Sequence, residues 1–300
     1  MPTRRYLGPI AALFLLFATG CAARGYVDGP PPPDAEPGPA LWIVADEDTT
    51  IYLFGTVHAL PRDMGWFRGK VERAFNASDE LVTEIDLSDP ATSGQALVAA
   101  SVLPEGQRLR DLMTPEDRMQ FEEALVALGM PVEALDRVEP WFAAMTLSLL
   151  PVVQAGYEQA SGVEMSLAGR AGDKRRSALE TVEDQVDVFD GLSQEAQLNF
   201  LDKVVEGLSR AKPTLDAMVA EWLEGDAEQL SVLMNAELTD PALHDRLLTQ
   251  RNANWAQWIE QRLEEPGTVF VAVGAGHLAG RGSMQDQLQH RGLEVRRIWR

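Results

Sequence analysis

The chain has 300 residues, of which 45% are apolar, and carries 26 basic against 46 acidic side chains, for a formal charge of −20. With a mean hydropathy of −0.14 this excludes a disordered chain, a collagen-like fibre and a multi-spanning membrane protein, and so acidic a surface repels phosphate backbones and makes nucleic acid a poor partner. The single cysteine excludes an intrachain disulfide framework and any cysteine-rich zinc module.

Arg4 and Arg5 precede an unbroken apolar run, Ile10–Ala18. The run is too short to span a membrane and has the length of a signal-peptide core. It ends in Ala18-Thr19-Gly20-Cys21, which resembles a bacterial lipobox and implies cleavage before Cys21 and lipidation of its thiol. Ala22 in the next position points to outer-membrane sorting. Residues 21–39 read as a linker, with prolines at 30, 31, 32, 33, 37 and 39, extended as a polyproline-like spacer between membrane and domain. The folded part is expected over 40–300.

Leu41–Ala45 and Ile51–Phe54, separated by the turn-like Asp46-Glu47-Asp48-Thr49, predict a β-hairpin. A helix over Trp66–Ala77 and a strand over Glu80–Asp86 follow. From about 90 to 265 helical periodicity dominates. Helices are expected from Pro115, from Pro140 through Ala155, from Ser193, and over Pro241–Leu263. Arg176–Leu179 interrupts this region as a further strand. Val269–Val273 is a strong strand, and a helix over Ser283–His290 and a strand over Glu294–Trp299 close the chain. The pattern gives an α/β fold, a small mixed sheet built from both chain ends with a large helical insertion.

Two of the four histidines share one context: Gly55-Thr56-Val57-His58 and Gly274-Ala275-Gly276-His277 each follow a predicted strand. Roughly 0.3 such Gly-x-x-His matches are expected by chance. Taken singly, either histidine reads as a capped or core residue; the repeated context favours a functional pair. Groups at the carboxyl ends of strands converge on one crevice in α/β sheets, so the two are expected to be neighbours. Glu84 and Glu180 also end strands, and Glu164 heads a helical segment. Two imidazoles with one or two carboxylates suit a divalent transition metal with an open position, such as manganese, cobalt or zinc. Arg251, in Gln250-Arg251-Asn252, can reach the same crevice to bind substrate or steady an oxyanion. His244 and His290 read as solvent-facing. There is no Gly-x-Ser-x-Gly elbow, no His-Glu-x-x-His and no phosphate-binding loop.

Together these stretches resemble the TraB/GumN family. The residues concerned are Ala40-Leu41-Trp42, Tyr52 to His58, Glu84-Ile85-Asp86, Gly162-Val163-Glu164, Leu179-Glu180-Thr181 with Gln185, Arg251-Asn252 with Trp255, Val271 to Gly280, and Arg291 to Val295. The segment Gln159-Ala160-Ser161 departs from the family's proline-containing form. The resemblance implies an EreA/ChaN-like α/β fold and a link to the Tiki metal-dependent proteases. Carried over residue by residue, it places His58, Glu84, His277 and Arg251 at an active site, with Glu164 and Glu180 beside them. The reading that follows is a periplasm-facing lipoprotein with a metal-dependent, peptidase-like hydrolase domain. His58, Glu84 and His277 hold the metal, Glu164 or Glu180 is the general base, and the substrate is a peptide or small molecule. The competing reading is a non-enzymatic lipoprotein that binds a ligand such as haem in the same crevice.

Overall fold

Residues 26, 28–88, 90–237, 240–278 and 280–300 are described by the structure, a computed structural model. The expected signal segment and Cys21 lie outside the described residues. In chain order the first half contains β1 (Leu41–Ala45), β2 (Thr49–Thr56), α1 (Gly69–Ala77), β3 (Glu80–Thr83), α2 (Pro90–Ala100), α3 (Pro115–Ala127), α4 (Pro140–Gln154), α5 (Val163–Arg170) and β4 (Arg175–Ala178). Then come α6 (Val182–Asp190), α7 (Gln194–Gly207), α8 (Ala211–Glu224), α9 (Ala227–Glu237), α10 (Pro241–His244), α11 (Gln250–Arg262), β5 (Gly267–Gly274), α12 (Met284–His290) and β6 (Arg296–Arg297). Among the described residues no helix is long and apolar enough to cross a membrane.

The described strands form one six-stranded sheet in the order β4-β3-β5-β2-β1-β6. β4, β3, β5 and β2 are parallel neighbours, and β1 alone runs against the rest. The hairpin forms as expected, with Asp46 Oδ1 accepting from the Thr49 N–H at 2.8 Å to close its turn. β5 lies inside the sheet and is covered on both faces, which is why it is apolar at every step from Val269 to Val273 rather than alternating. Val269, Val271 and Val273 pack under Trp255, Ile259 and Leu263 of the α11 segment and Met284 and Leu288 of α12. Phe270 and Ala272 face the other layer, with Phe54, Trp66, Phe75, Leu167 and Trp222. Each fully buried Val or Phe contributes about 1.5–3 kcal/mol, so this strand and the residues at its end are firmly held. The helical insertion has its own core, in which Phe121, Leu125, Ala143, Ala144, Leu147 and Leu201 meet.

Several boundaries differ from expectation for local reasons. α1 begins at Gly69 rather than Trp66, because Gly65 and Gly69 take φ of +62° and +57° and turn the chain first. The helix expected over Pro241–Leu263 carries a π-helical turn at Asp245–Thr249, directly before α11. β6 pairs only through Arg296 and Arg297, because the carbonyl of Trp299 instead accepts from the Glu36 N–H at 2.6 Å. That contact belongs to a larger correction. The stretch expected as a free spacer is docked from Asp28 onward. Asp28 accepts from Trp42 Nε1 at 2.8 Å and from Arg297 Nη1 at 3.0 Å, and Lys70 Nζ donates to the Glu36 carbonyl at 3.1 Å.

Candidate active site

Four parallel strands each deliver one residue just past their carboxyl ends: Glu180 after β4, Glu84 after β3, His277 after β5 and His58 after β2. Backbone pairing carries the order beyond the strands, since the Glu180 N–H donates to the Glu84 carbonyl at 3.0 Å. Thr56 of β2 stands opposite Gly274 of β5. A Cβ placed on Gly274 would lie 3.1 Å from Glu84 Oε1, 3.6 Å from His277 Cδ2 and 3.9 Å from His58 Nε2. The two Gly-x-x-His turns therefore converge as expected, and the three groups share the space above one glycine. The Gly274 N–H donates to Glu84 Oε1 at 2.6 Å.

The hydrogen-bond network assigns the histidine tautomer. Asn252 Nδ2 donates to the Gly282 carbonyl at 2.8 Å, so Asn252 Oδ1 is the atom turned toward His277 Nδ1, at 2.7 Å. An amide oxygen only accepts, so Nδ1 carries the proton and Nε2 keeps its lone pair. Nε2 accepts from Arg251 Nη1 at 3.1 Å. Burial, aided by Arg251 and opposed by Glu84, pushes the His277 pKa down to about 3, so the ring is neutral. It packs on Trp255, with ring centres 4.3 Å apart.

His58 is arranged the same way by a different partner. Its Nδ1 lies 2.6 Å from Glu164 Oε1, which also accepts from Thr56 Oγ1 at 2.5 Å. The Glu164 carboxylate raises the His58 pKa against the opposing effect of burial. The side chain is 73% exposed, and water on its open face moderates that lift. Burial acts to raise Glu164, but His58 outweighs it and the carboxylate is lowered. Gly162 completes the fit: a Cβ there would stand 2.1 Å from the His58 carbonyl oxygen.

Arg251 is the hub of the opposite wall. It donates to Glu84 Oε2 at 2.7 Å, to Glu180 Oε1 from Nε at 3.0 Å and to the Leu247 carbonyl at 3.1 Å, and it stacks over Trp255. Gln185 Nε2 adds donors to Glu84 at 3.0 Å and Glu180 at 3.2 Å. Burial alone would raise Glu84; Arg251, His58 and the Gly274 N–H oppose it and hold the carboxylate below its usual range. Because His277 is neutral, Arg251 is the standing counter-charge at that carboxylate.

Two features bear on the expectations for this crevice. Arg251 does not present a free guanidinium here; its donors are taken up by the crevice itself. And among the described residues no three His, Cys, Asp or Glu side chains close on a point that could hold a metal ion. His58, Glu84 and His277 surround Gly274, but the cation between Glu84 and His277 is Arg251. Of the other histidines, His290 is exposed and His244 half-buried. Asn252 and Thr56 were not among the expected site residues. Their sequence signals were adjacency, Asn252 to Arg251 and Thr56 within the first Gly-x-x-His turn, and a place in the family-like stretches.

Fold and rim together define a mixed α/β protein with histidines and carboxylates gathered at the carboxyl edge of its parallel strands. The chain belongs to the TraB/PrgY/gumN family, whose model matches residues 40–297. It is 25% identical to Metalloprotease TIKI1 of Homo sapiens, over 93% of this chain and 67% of that protein. It is 23% identical to the uncharacterized protein YbaP of Escherichia coli (strain K12), over 84% of this chain and 92% of that one. An uncharacterized protein of Treponema pallidum is 24% identical over 84% of this chain and 81% of its own length. No solved structure matches the chain.

Proposed function

We propose that the chain is a metal-dependent peptide hydrolase, carried on a lipoprotein of the bacterial cell envelope. The observation that supports this reading is the paired pinning of the histidines. Glu164 takes up Nδ1 of His58 and Asn252 takes up Nδ1 of His277, so Nε2 is the ligating nitrogen each ring has left, facing the space above Gly274 in His58 and bonded to Arg251 in His277. Imidazoles that ligate metals are held through their second nitrogen in this way. The donor chemistry fits a divalent transition metal: His58 Nε2, His277 Nε2 and Glu84 Oε1 would hold it. When bound, it would supply Lewis acidity to the crevice. Peptide is proposed as substrate because relatives bear the name metalloprotease.

The chain's own residues divide the remaining work. Glu164 and Asn252 fix the rings, and the missing side chain of Gly274 leaves room above the strand end. Both remaining carboxylates are already paired, Glu164 with His58 and Glu180 with Arg251, and turnover of Glu164→Gln against Glu180→Gln chooses between them as general base. Charged walls of Glu84, Glu180, Glu164 and Arg251 favour this reading over haem, which calls for apolar walls. The test is hydrolysis of a mixed peptide pool by the purified full chain after chelation and after adding back manganese, cobalt or zinc. Hydrolysis that depends on metal and falls at least about 100-fold in His58→Ala and in His277→Ala is expected, with the double variant no worse than either. A wild-type chain inert with all three metals would overturn the proposal.

A further inference from the structure

We infer that Arg251 is a built-in stand-in for the metal, a cation that must release His277 before a metal ion can take it. The inference rests on the metal-dependent reading above and concerns what controls loading of that site. Arg251 is bonded to two of the three proposed ligands, at Glu84 Oε2 (2.7 Å) and His277 Nε2 (3.1 Å). The second contact is decisive. His277 has one lone pair, Asn252 has fixed it at Nε2, and a guanidinium N–H and a metal ion cannot both use it.

Charge supports the exchange. Glu84, Glu164 and Glu180 bring three negative charges to the rim, and Arg251 and, before metal binds, the His58 imidazolium paired with Glu164 bring one positive charge each. One divalent ion, with both imidazoles neutral, brings the group to zero. Arg251 therefore has reason to stay after exchange, on Glu180, which it already holds through Nε. The local structure allows the shift: the preceding turn, Asp245–Thr249, is π-helical, and its Leu247 carbonyl holds Arg251 Nη1. Side-chain motion about this turn would move the guanidinium from one end of its contacts while leaving the other in place.

The experiment is calorimetric titration of manganese and zinc into the full-length wild type, Arg251→Lys and Arg251→Gln, with unfolding temperatures read with and without metal. Lysine keeps the charge but cannot span three partners, so it separates displacement of the fork from repulsion at a distance. Both variants are expected to bind metal at least about tenfold more tightly than wild type. Both should also lose stability without metal and recover it with metal. Should Arg251→Gln not fold, Arg251→Lys alone carries the test. If Arg251→Lys binds metal no more tightly than wild type, the stand-in role is overturned while the hydrolase reading stands. If wild type and variants all bind neither metal, the hydrolase reading falls and this inference falls with it.

Discussion

Gly274 shapes the crevice by what it lacks. Its backbone takes no unusual φ, so an alanine there suits the chain, yet the added methyl would stand 3.1 Å from Glu84 Oε1 and within 4 Å of both imidazoles. Gly274→Ala is therefore expected to leave the unfolding temperature within a few degrees of wild type while pushing Glu84 off the Gly274 N–H. Metal affinity, measured by titration, should fall about tenfold or more; unchanged affinity would show that this space is not the metal's. The position was legible in the sequence as the first residue of a Gly-x-x-His turn, and so was the convergence of His58 with His277. Asn252 was not legible as a partner of His277, because its role depends on the Gly282 carbonyl that fixes its amide. Arg251 and Asn252 are consecutive on α11, yet they reach opposite nitrogens of one ring. No spacing rule announces that arrangement; it exists only once α11 lies across the end of β5.

β3 carries a carboxylate at each end, and the two have different work. Glu84 serves the crevice. Glu80, at the other end, is buried beneath the sheet edge, accepts from Arg262 Nε at 3.2 Å and is bonded by Arg175 and Ser177. Sequence pattern singled out Glu84 and passed over Glu80, whose partners lie on β4 and α11 far along the chain. Element boundaries failed for the same reason. β5 was legible because two covered faces demand an unbroken apolar run. β6 and the start of α1 were not, because single glycines and the docked N-terminal segment set them. For Glu80, burial acts to raise the pKa, but Ser177, Arg175 and Arg262 outweigh it and the folded value lies below the ordinary one. Its stabilising contribution is thus complete above the unfolded carboxylate pKa and is lost as pH falls through the lower folded value. Glu80→Ala, which strands Arg262, should cost about 3–5 kcal/mol at neutral pH. Glu80→Gln should flatten the acid limb: denaturant unfolding at neutral pH and near pH 3 is expected to show wild type losing more stability than the variant. Equal losses would mean that Glu80 contributes no pH-dependent stability.

At the scale of the whole molecule, the proline-rich segment is part of the fold. Arg297 lies between Trp42 and Trp299, 4.6 and 4.8 Å from their ring centres, with its side chain only 3% exposed. Asp28 is its carboxylate partner, and Glu36 is tied to Trp299 and, by ion pair, to Arg73. A spacer of prolines extends about 3.1 Å per residue only where it is free. With docking from Asp28, a lipid on Cys21 would be joined to the fold through residues 22–27 rather than through the whole proline-rich stretch. Two variants separate anchor from strap. Cys21→Ser is expected to move the chain from the detergent phase to the soluble fraction. Asp28→Ala leaves the Arg297 charge buried without its carboxylate, so it should lower the unfolding temperature and speed proteolytic cleavage between residues 28 and 39 while keeping the chain in the membrane. Protection from cleavage equal to wild type in Asp28→Ala would show that Asp28 does not hold the strap. A Cys21→Ser chain that stays membrane-bound would remove the lipid anchor from the proposal.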